Sequence, residues 1–279
     1  MVHIITDSAA DFEPQELEKL HIDCVPMQVN FKDKEYKENV NLTKEEFYIM
    51  LEKGDYPKTS QPSPYDFEMA MKKSKEAGDE CVVVTISSNL SGTHQSAYLT
   101  KEMLKCDNCY VVDGLTATAG QRILVEHAVK LRDEGKSAKE IADVLENLKG
   151  RIKICACIDN LEYLYKGGRL SKACYTVGSF ANIKPIIYVS HEGKVEVCAK
   201  ALSMKKGIAT VCKRFEEFKL DMEYPIYIVY SNKKANGEHL RQAISSCGCE
   251  VPDDNLVNIG ATIGAHIGSG ACGVVFVSK

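Results

Sequence analysis

Three short polar segments of this 279-residue chain carry hydroxyl groups in positions where an anion could bind. Each follows a predicted strand, and they are Thr6-Asp7-Ser8, Ser87-Ser88-Asn89-Leu90-Ser91-Gly92-Thr93 and Asp113-Gly114-Leu115-Thr116. Ligands of open α/β sheets bind beyond the carboxyl ends of the strands. Ser91-Gly92-Thr93 also precedes a predicted helix, where free N–H groups and the helix dipole attract an anion. An N-cap followed by ordinary turn residues explains the same three residues, so their spacing leaves both interpretations open.

Further candidates lie outside these strand ends. In Thr59-Ser60-Gln61-Pro62-Ser63-Pro64, the last two residues are typical of a helix N-cap and first turn, which leaves Thr59 and Ser60 without a local structural role. His266 and Arg169 are single polar side chains in glycine-rich stretches, where a structural role is the more common one. The glycines beside His266 indicate that another group approaches this backbone closely.

Ser91, His266 and Asp7 are also the residue types of a serine hydrolase triad. The chain has no GxSxG turn, and a serine at a helix start without that turn gives little support for a nucleophile. Hydrolysis by Ser91 therefore remains an alternative to binding.

Two glycine motifs resemble nucleotide-binding sequences but lack the required context. Gly268-Ser269-Gly270-Ala271-Cys272-Gly273 matches GxGxxG, yet it precedes the final predicted strand and opens no helix, so it does not predict a dinucleotide site. Gly135-Lys136-Ser137 lacks the earlier glycine of a P-loop, because that position is Lys130. We expect the terminal glycines to allow close backbone approach between the domains.

Composition narrows the function classes. Lys and Arg total 35 and Asp and Glu total 39, which gives a net charge of −4, whereas nucleic acid favours clustered positive charge. The N-terminus lacks the features of a signal peptide, and no stretch approaches the roughly 20 apolar residues of a membrane helix. We therefore expect a cytoplasmic protein with no nucleic-acid partner and no integral membrane segment.

The 12 cysteines need an explanation other than disulfides in a reducing compartment. Cys81, Cys155 and Cys157 fall in predicted apolar strands, where cysteine behaves as a small hydrophobe. Cys106-x-x-Cys109 and Cys247-x-Cys249 lack a nearby histidine or a second CxxC motif. We predict no metal site and no cofactor.

The first half of the chain alternates apolar strands with helices, which is typical of a doubly wound, mostly parallel sheet. The predicted strands are 2–6, 81–86, 110–113 and 151–158, and residues 22–31 are predicted to be extended. The predicted helices are 13–20, 43–53, 63–77, 91–105 and 116–134, followed by one that begins with a capping box at Ser137.

The second half contains a hairpin, which indicates a mixed sheet. Its predicted strands are 185–190, 194–198, 225–230, 256–260 and 273–277, and its predicted helices are 204–218 and 235–246. We therefore predict an α/β fold with an N-terminal, mostly parallel domain over 1–160 and a C-terminal mixed α/β domain over 161–279. The helix over 60–78 is a candidate to pack on the second domain.

Six motifs resemble, in their order, those of the DegV family, which includes the fatty-acid-binding subunits of bacterial fatty acid kinase. Each motif alone is weak, but together they cover nearly the whole chain. The resemblance implies two α/β domains with a ligand between them. The motifs are Thr6-Asp7-Ser8, Thr59-Ser60-Gln61-Pro62, the segment from Ser87 to Thr93, Lys166-Gly167-Gly168-Arg169-Leu170-Ser171, Ile183-Lys184-Pro185 and the segment from Gly264 to Gly270.

The resemblance also implies residue roles and partners. The ligand would be one long-chain fatty acid, such as palmitate, stearate or oleate. Its carboxylate would be bound by the Thr59 and Ser91 hydroxyls beside His266. Arg169 matches an arginine linked with the kinase partner, and His266 would orient the carboxyl group or stabilise charge during phosphoryl transfer. That ATP-binding partner would phosphorylate the carboxylate, and this chain would be a binding subunit and not an enzyme. The carboxylate site would comprise Thr59, Ser60, Ser91, Gly92, Thr93 and His266.

One residue departs from the kinase-linked members of the family. They carry an Arg-Thr pair after the second hairpin, where this chain has Leu202. Lys200 or Lys205 could supply the charge but not the forked donor of arginine. The departure keeps open a lipid-binding or sensing protein without a kinase partner. Apolar residues of the second domain could line the acyl tunnel, although plain core is the expected role of most of them. These residues are Ile186, Ile187, Val189, Ile226 and Ile228.

Overall fold

The computed structural model describes residues 1–32, 34–170 and 183–279, which form strands and helices in alternation. Ser171, the last residue of the arginine-containing motif, lies outside the described residues. The strands are β1 (Val2–Asp7), β2 (Ile22–Val25), β3 (Gln28–Phe31), β4 (Lys34–Lys37), β5 (Lys58–Ser60), β6 (Glu80–Thr85), β7 (Cys109–Asp113), β8 (Ile152–Cys157), β9 (Lys184–Val189), β10 (Val195–Ala201), β11 (Tyr227–Tyr230), β12 (Leu256–Asn258) and β13 (Cys272–Val277). The helices are α1 (Pro14–Leu20), α2 (Lys44–Glu52), α3 (Pro64–Ala77), α4 (Thr93–Leu104), α5 (Ala119–Asp133), α6 (Ala138–Leu148), α7 (Glu162–Lys166), α8 (Met204–Glu216), α9 (Lys234–Ser246) and α10 (Ala261–Ile267).

The first sheet is parallel and has the strand order β2-β1-β6-β7. Val82, Val83 and Val84 of β6 are all fully buried, because helices cover both faces of this sheet. Burial on both faces explains why the sequence shows unbroken apolar runs. The predicted parallel N-terminal sheet is confirmed.

The second sheet is mixed and has the order β10-β9-β8-β13-β11-β12. Its neighbouring strands are antiparallel except for β11 and β12, and the predicted hairpin is formed by β9 and β10. β8 pairs with β9 and β13, so the change from the first sheet to the second precedes Ile152 and does not fall near residue 160. The sequence did not reveal this because β8 is as apolar as the strands before it.

A small antiparallel sheet with the order β4-β3-β5 was not predicted. The extended run over 22–31 breaks at Pro26, and its two parts, β2 and β3, belong to different sheets. This small sheet packs against α2 and α10 through Val29, Phe47 and Ala265. It therefore fixes β5, which carries Thr59.

The helix α3 packs on the first sheet and beside α4. Phe67 and Met71 are fully buried against Ile5, Val25 and Val83 of that sheet. The suggestion that the helix over 60–78 packs on the second domain is therefore wrong. Within the described residues, no helix is long and apolar enough to cross a bilayer.

The turn between β9 and β10 contacts the loop after β6, which joins the first and second sheets. Ser87 Oγ donates a hydrogen bond to the Gly193 carbonyl (2.8 Å), and Asn89 Nδ2 donates to the Glu192 carbonyl (2.8 Å). Gly193 has a φ of +78°, and a side chain there would collide with Ser87. The loop that carries Ser91 is thereby held against the second sheet.

The glycines near the C-terminus have different neighbours from those expected. A side chain at Gly264 would collide with Phe47 of α2, so the close approach between the two halves of the chain occurs there. Gly268 instead faces the Tyr163 ring, and Gly273 faces Ala156 on the neighbouring strand β8. The interdomain role predicted for the glycines over 268–273 is therefore wrong.

Candidate functional site

A cavity lies between the second sheet and the loops that follow β6 and β7. It contains about 820 Å³ of atom-free space, including its opening to solvent. Its walls are almost entirely apolar. They include Ile86, Ile154, Ile187, Val189, Val195 and Val229.

The alternation of side chains along β9 decides which of the predicted tunnel residues face the cavity. Ile187 and Val189 line it. Ile186, Ile226 and Ile228 are buried on the other side, in the core that also contains α8 and α9. The expectation that most of the five residues are plain core is therefore confirmed.

Polar groups are concentrated at one end of the cavity. Thr59, Ser91, Arg169 and His266 all line it. Thr59 Oγ1 lies 2.7 Å from His266 Nε2, although the two residues are 207 positions apart. Arg169 Nε donates to the carbonyl of Leu90 (2.9 Å), directly beside Ser91. Four predicted site residues from four different segments thus meet at one place.

The remaining predicted site residues occupy other positions. Ser60 is exposed and is not among the described lining residues. Thr93 is fully buried behind Ser91, and the two hydroxyl oxygens are 2.7 Å apart. Gly92 precedes α4, and a side chain there would collide with Gln61. Gly92 therefore allows the segment with Thr59 to lie against the loop with Ser91.

The surroundings of His266 favour one neutral form of its ring. Burial, with a smaller contribution from the positive charge of Arg169, lowers the pKa of His266 to about 3. Its Nδ1 atom is buried without a hydrogen-bond partner among the described residues, and Gly167 packs against it. A proton on Nδ1 would be a buried, unpaired donor, which proteins avoid more strictly than an unpaired acceptor. We infer that Nε2 carries the proton and donates to Thr59, which leaves the Thr59 hydroxyl proton available to a ligand.

Arg169 brings a positive charge to the same end of the cavity. Besides Leu90, it donates to the carbonyl of Gly167. Partial burial lowers its pKa from the ordinary value for arginine, but an arginine side chain stays protonated in proteins. The site therefore combines hydroxyl donors with one cation and favours an anionic group.

Ser91, His266 and Asp7 do not form a hydrolase triad. The Asp7 carboxylate accepts hydrogen bonds from the backbone N–H groups of Ala9 (3.0 Å) and Ile86 (2.8 Å). His266 contacts Thr59, and Ser91 contacts Thr93. Among the described residues, Ser91 has no base at hydrogen-bonding distance.

The lining residues that were not predicted include Met27, Thr118 and Thr262. Thr118 has a φ of 49°, a strained value for a β-branched residue. Thr118 follows the third polar strand end, so that motif pointed to its neighbourhood. Nothing in the sequence singled out Met27 or Thr262. Among the described residues, no group of three or more His, Cys, Asp and Glu side chains could hold a metal ion.

Comparison with known proteins relates this geometry to one family. The family model described as "Uncharacterised protein, DegV family" matches residues 1–279. A DegV domain-containing protein of Caldanaerobacter subterraneus is 32% identical, over 100% of this chain and 99% of the relative.

Two solved structures have the same fold. A fatty-acid-binding DegV family protein from Thermus thermophilus is 29% identical and has a TM-score of 0.89, over 100% of this chain and 99% of that one. DegV of Bacillus subtilis, a fatty acid binding protein, is 26% identical and has a TM-score of 0.85, with the same shares covered. The predicted α/β class with two sheets is thereby confirmed.

The state of His266 can be tested by ¹⁵N NMR of the histidine ring nitrogens, with a His266→Gln variant to assign the signals. Because the pKa of His266 is lowered to about 3, we expect its signals to remain those of the neutral Nε2–H form between about pH 5 and 8. The Thr59→Val variant should shift the Nε2 signal. Titration of His266 within that range, or signals of the Nδ1–H form, would contradict this assignment.

Proposed function

Because the chain belongs to the DegV family, we propose that it binds one long-chain fatty acid in the cavity between its first and second sheets. The carboxylate contacts Thr59 and Ser91, and the tail extends along the apolar wall of the second sheet. The observation that carries this proposal is the distribution of polarity in the cavity. Thr59, Ser91 and Arg169 gather at one end, and apolar side chains form most of the remaining wall, which matches an amphiphile with one anionic end. The hydroxyls of the other two lining threonines, Thr118 and Thr262, donate to Asp11 and Glu38.

Burial of the tail accounts for affinity. About fifteen methylenes at ~0.8 kcal/mol each contribute on the order of 10 kcal/mol, before the costs of association are subtracted. The polar end therefore needs only to orient the carboxylate. Affinity from the tail and orientation from the head group are consistent with a site that has few polar groups and an extensive apolar wall.

Each polar residue has a distinct task at the head group. The Thr59 hydroxyl accepts from His266 and donates its own proton to one carboxylate oxygen. The Ser91 hydroxyl donates to the carboxylate, while Thr93 holds Ser91 in place. Arg169 balances the negative charge without direct ion pairing being required. Because His266 is neutral, it orients Thr59 and adds no second charge.

Two relatives support the chemistry of the ligand. The Thermus thermophilus and Bacillus subtilis structures are both fatty-acid-binding proteins with this fold. The hydrolase alternative has no comparable support, because Ser91 contacts Thr93 and not a base. A cytoplasmic location is part of the proposal, since the eleven described cysteines are free thiols, as a reducing compartment favours.

We also propose that the bound carboxylate is presented to an ATP-binding kinase subunit. Thr59, Ser91, Arg169 and His266 are partly exposed, whereas most of the apolar wall is buried, so a partner could reach the head group alone. In the transfer, a carboxylate oxygen bonds to the terminal phosphorus of ATP as the bond from that phosphorus to the ADP oxygen breaks. Leu202, where the kinase-linked subunits carry arginine, is 72% exposed and available to a partner surface.

Mass spectrometry of the purified protein, first native and then denatured, tests fatty acid binding. We expect one equivalent of an acid such as palmitate, stearate or oleate. Each lost hydrogen bond to the carboxylate should weaken binding about tenfold, so a Thr59→Val/Ser91→Ala double variant should lose the ligand on dilution. Thr210→Val removes a hydroxyl of α8 that donates to the Lys206 carbonyl and does not line the cavity, and it is the matched control. An empty wild-type protein that also refuses added palmitate and oleate would refute the proposal.

Hydroxylamine trapping tests presentation to a kinase, because it converts an acyl phosphate into a stable hydroxamate. Oleate-loaded protein, ATP and the ATP-binding kinase subunit should yield oleoyl hydroxamate and phosphate, while omission of that subunit should yield none. Leu202→Arg should raise the rate more than Leu202→Lys, because only arginine offers a forked donor. Absence of hydroxamate with the wild type and both variants would leave fatty acid binding without a kinase role.

A further inference from the structure

Two buried carboxylates from the first half of the chain contact the start of α10. Glu38 is 1% exposed and Asp11 is 2% exposed. Glu38 Oε1 accepts a hydrogen bond from the N–H of Thr262 (3.0 Å), and Oε2 accepts from the Thr262 hydroxyl and from Ser8 Oγ (2.6 Å). Asp11 accepts from the N–H of Gly260 (2.8 Å) and from the hydroxyl of Thr118. Both carboxylates are thus directed at the backbone of one short helix.

These contacts compensate for a weakness of α10, which has only seven residues. The first N–H groups of any helix lack partners within it. The Gly260 N-cap has no side chain that could supply one, and a side chain there would collide with Glu38. Glu38 and Asp11 provide the missing acceptors from another part of the chain, and His266 lies one turn after Thr262 on the same helix.

The carboxylates are also connected to the cavity wall. Ser8 Oγ, which donates to Glu38, accepts from the N–H of Met27 (3.0 Å). Met27, Thr118 and Thr262 all line the cavity. A change in the position of either carboxylate would therefore move lining residues of the cavity, namely Met27, Thr118 or Thr262, as well as α10.

The arrangement is costly for folding. Burial, opposed chiefly by the charge of Lys44, raises the pKa of Asp11 to about 7. Lys44 is itself buried, donates to the Asp11 carbonyl (3.2 Å) and pairs with Glu13 (2.5 Å). A buried charge network is weak evidence for stability and better evidence for a defined geometry.

We propose that Glu38 and Asp11 are positioning residues of the carboxylate site, which fix the start of α10 and thereby hold His266 against Thr59. The expected change in ligand affinity rests on the proposed binding of a fatty acid. The expected change in the position of His266 does not depend on any ligand.

Affinities for two ligands with the same tail test the role. Oleate has a carboxylate, whereas oleyl alcohol has an uncharged hydroxyl that forms weaker hydrogen bonds, so misplacement of the polar end should affect oleate much more than the alcohol. In the full-length Glu38→Gln variant, we expect oleate to bind about tenfold more weakly. The affinity for oleyl alcohol should stay within about twofold of the wild-type value, whereas general loosening of the fold would weaken both ligands. Equal changes for the two ligands, or no change for oleate, would overturn the proposal.

Two further variants distinguish a positioning role from general loosening of the fold. Ile141→Val removes one methyl group from the fully buried core position on α6, away from the cavity, and should leave the ratio of the two affinities unchanged. Glu38→Asp keeps the charge but withdraws it from the Thr262 N–H. Like Glu38→Gln, it should therefore lower the affinity for oleate more than the affinity for oleyl alcohol. Retention of the wild-type ratio by Glu38→Asp and Glu38→Gln would overturn the proposal.

The ¹⁵N signal of His266 Nε2 is a second measurement that needs no ligand. Glu38→Gln should shift it in the empty protein, and Ile141→Val should not. An unshifted signal in Glu38→Gln would overturn the positioning role even if fatty acid binding is confirmed. The wild type could instead fail to take up oleate while Glu38→Gln still shifts the His266 Nε2 signal. That result would refute the proposed function but support the positioning of His266 by Glu38.

Discussion

The hydrogen bond between Thr59 and His266 joins residues 207 positions apart, and the polar end of the candidate site depends on this contact. Thr59 is placed by a small sheet that packs on α2, and His266 is placed by a seven-residue helix that starts at carboxylates from the first half. Neither element is part of the two larger sheets. The second sheet supplies most of the apolar wall, and the two small elements supply Thr59 and His266 at the polar end, beside Ser91 of the loop after β6.

The parts of the fold that could be predicted are those in which the local pattern of apolar residues matches the surfaces that are buried in the structure. The buried run over Val82 to Val84 predicts a parallel strand because helices cover both of its faces. The hairpin of β9 and β10 follows from a short polar link between apolar runs. The sequence does not reveal α10, because glycine disfavours helices and the N–H groups at its start are satisfied by Glu38 and Asp11. Such long-range partners leave no local pattern.

The candidate site shows the same limit. Spacing alone did not decide whether Ser91 is part of an N-cap or of an anion site. The family motifs assigned binding or partner roles to Thr59, Arg169 and His266, and all four residues line one cavity. Motif membership did not show that Ser60 faces solvent. Glu38 was overlooked because it ends a charged run, Lys34-Glu35-Tyr36-Lys37-Glu38, that is typical of an exposed surface. Its burial is decided by Ser8 and Thr262, which are distant in the sequence.

The most direct test of the account is a crystal structure of the protein with a fatty acid that carries bromine at its terminal carbon, located by anomalous scattering. The account predicts a bromine peak within the apolar wall near Ile154, Ile187 and Val229, and carboxylate density at Thr59 and Ser91. A bromine peak beside Thr59 and Arg169, with the carboxylate elsewhere, would contradict it, because the hydroxyls and the cation would then have no part in binding the head group.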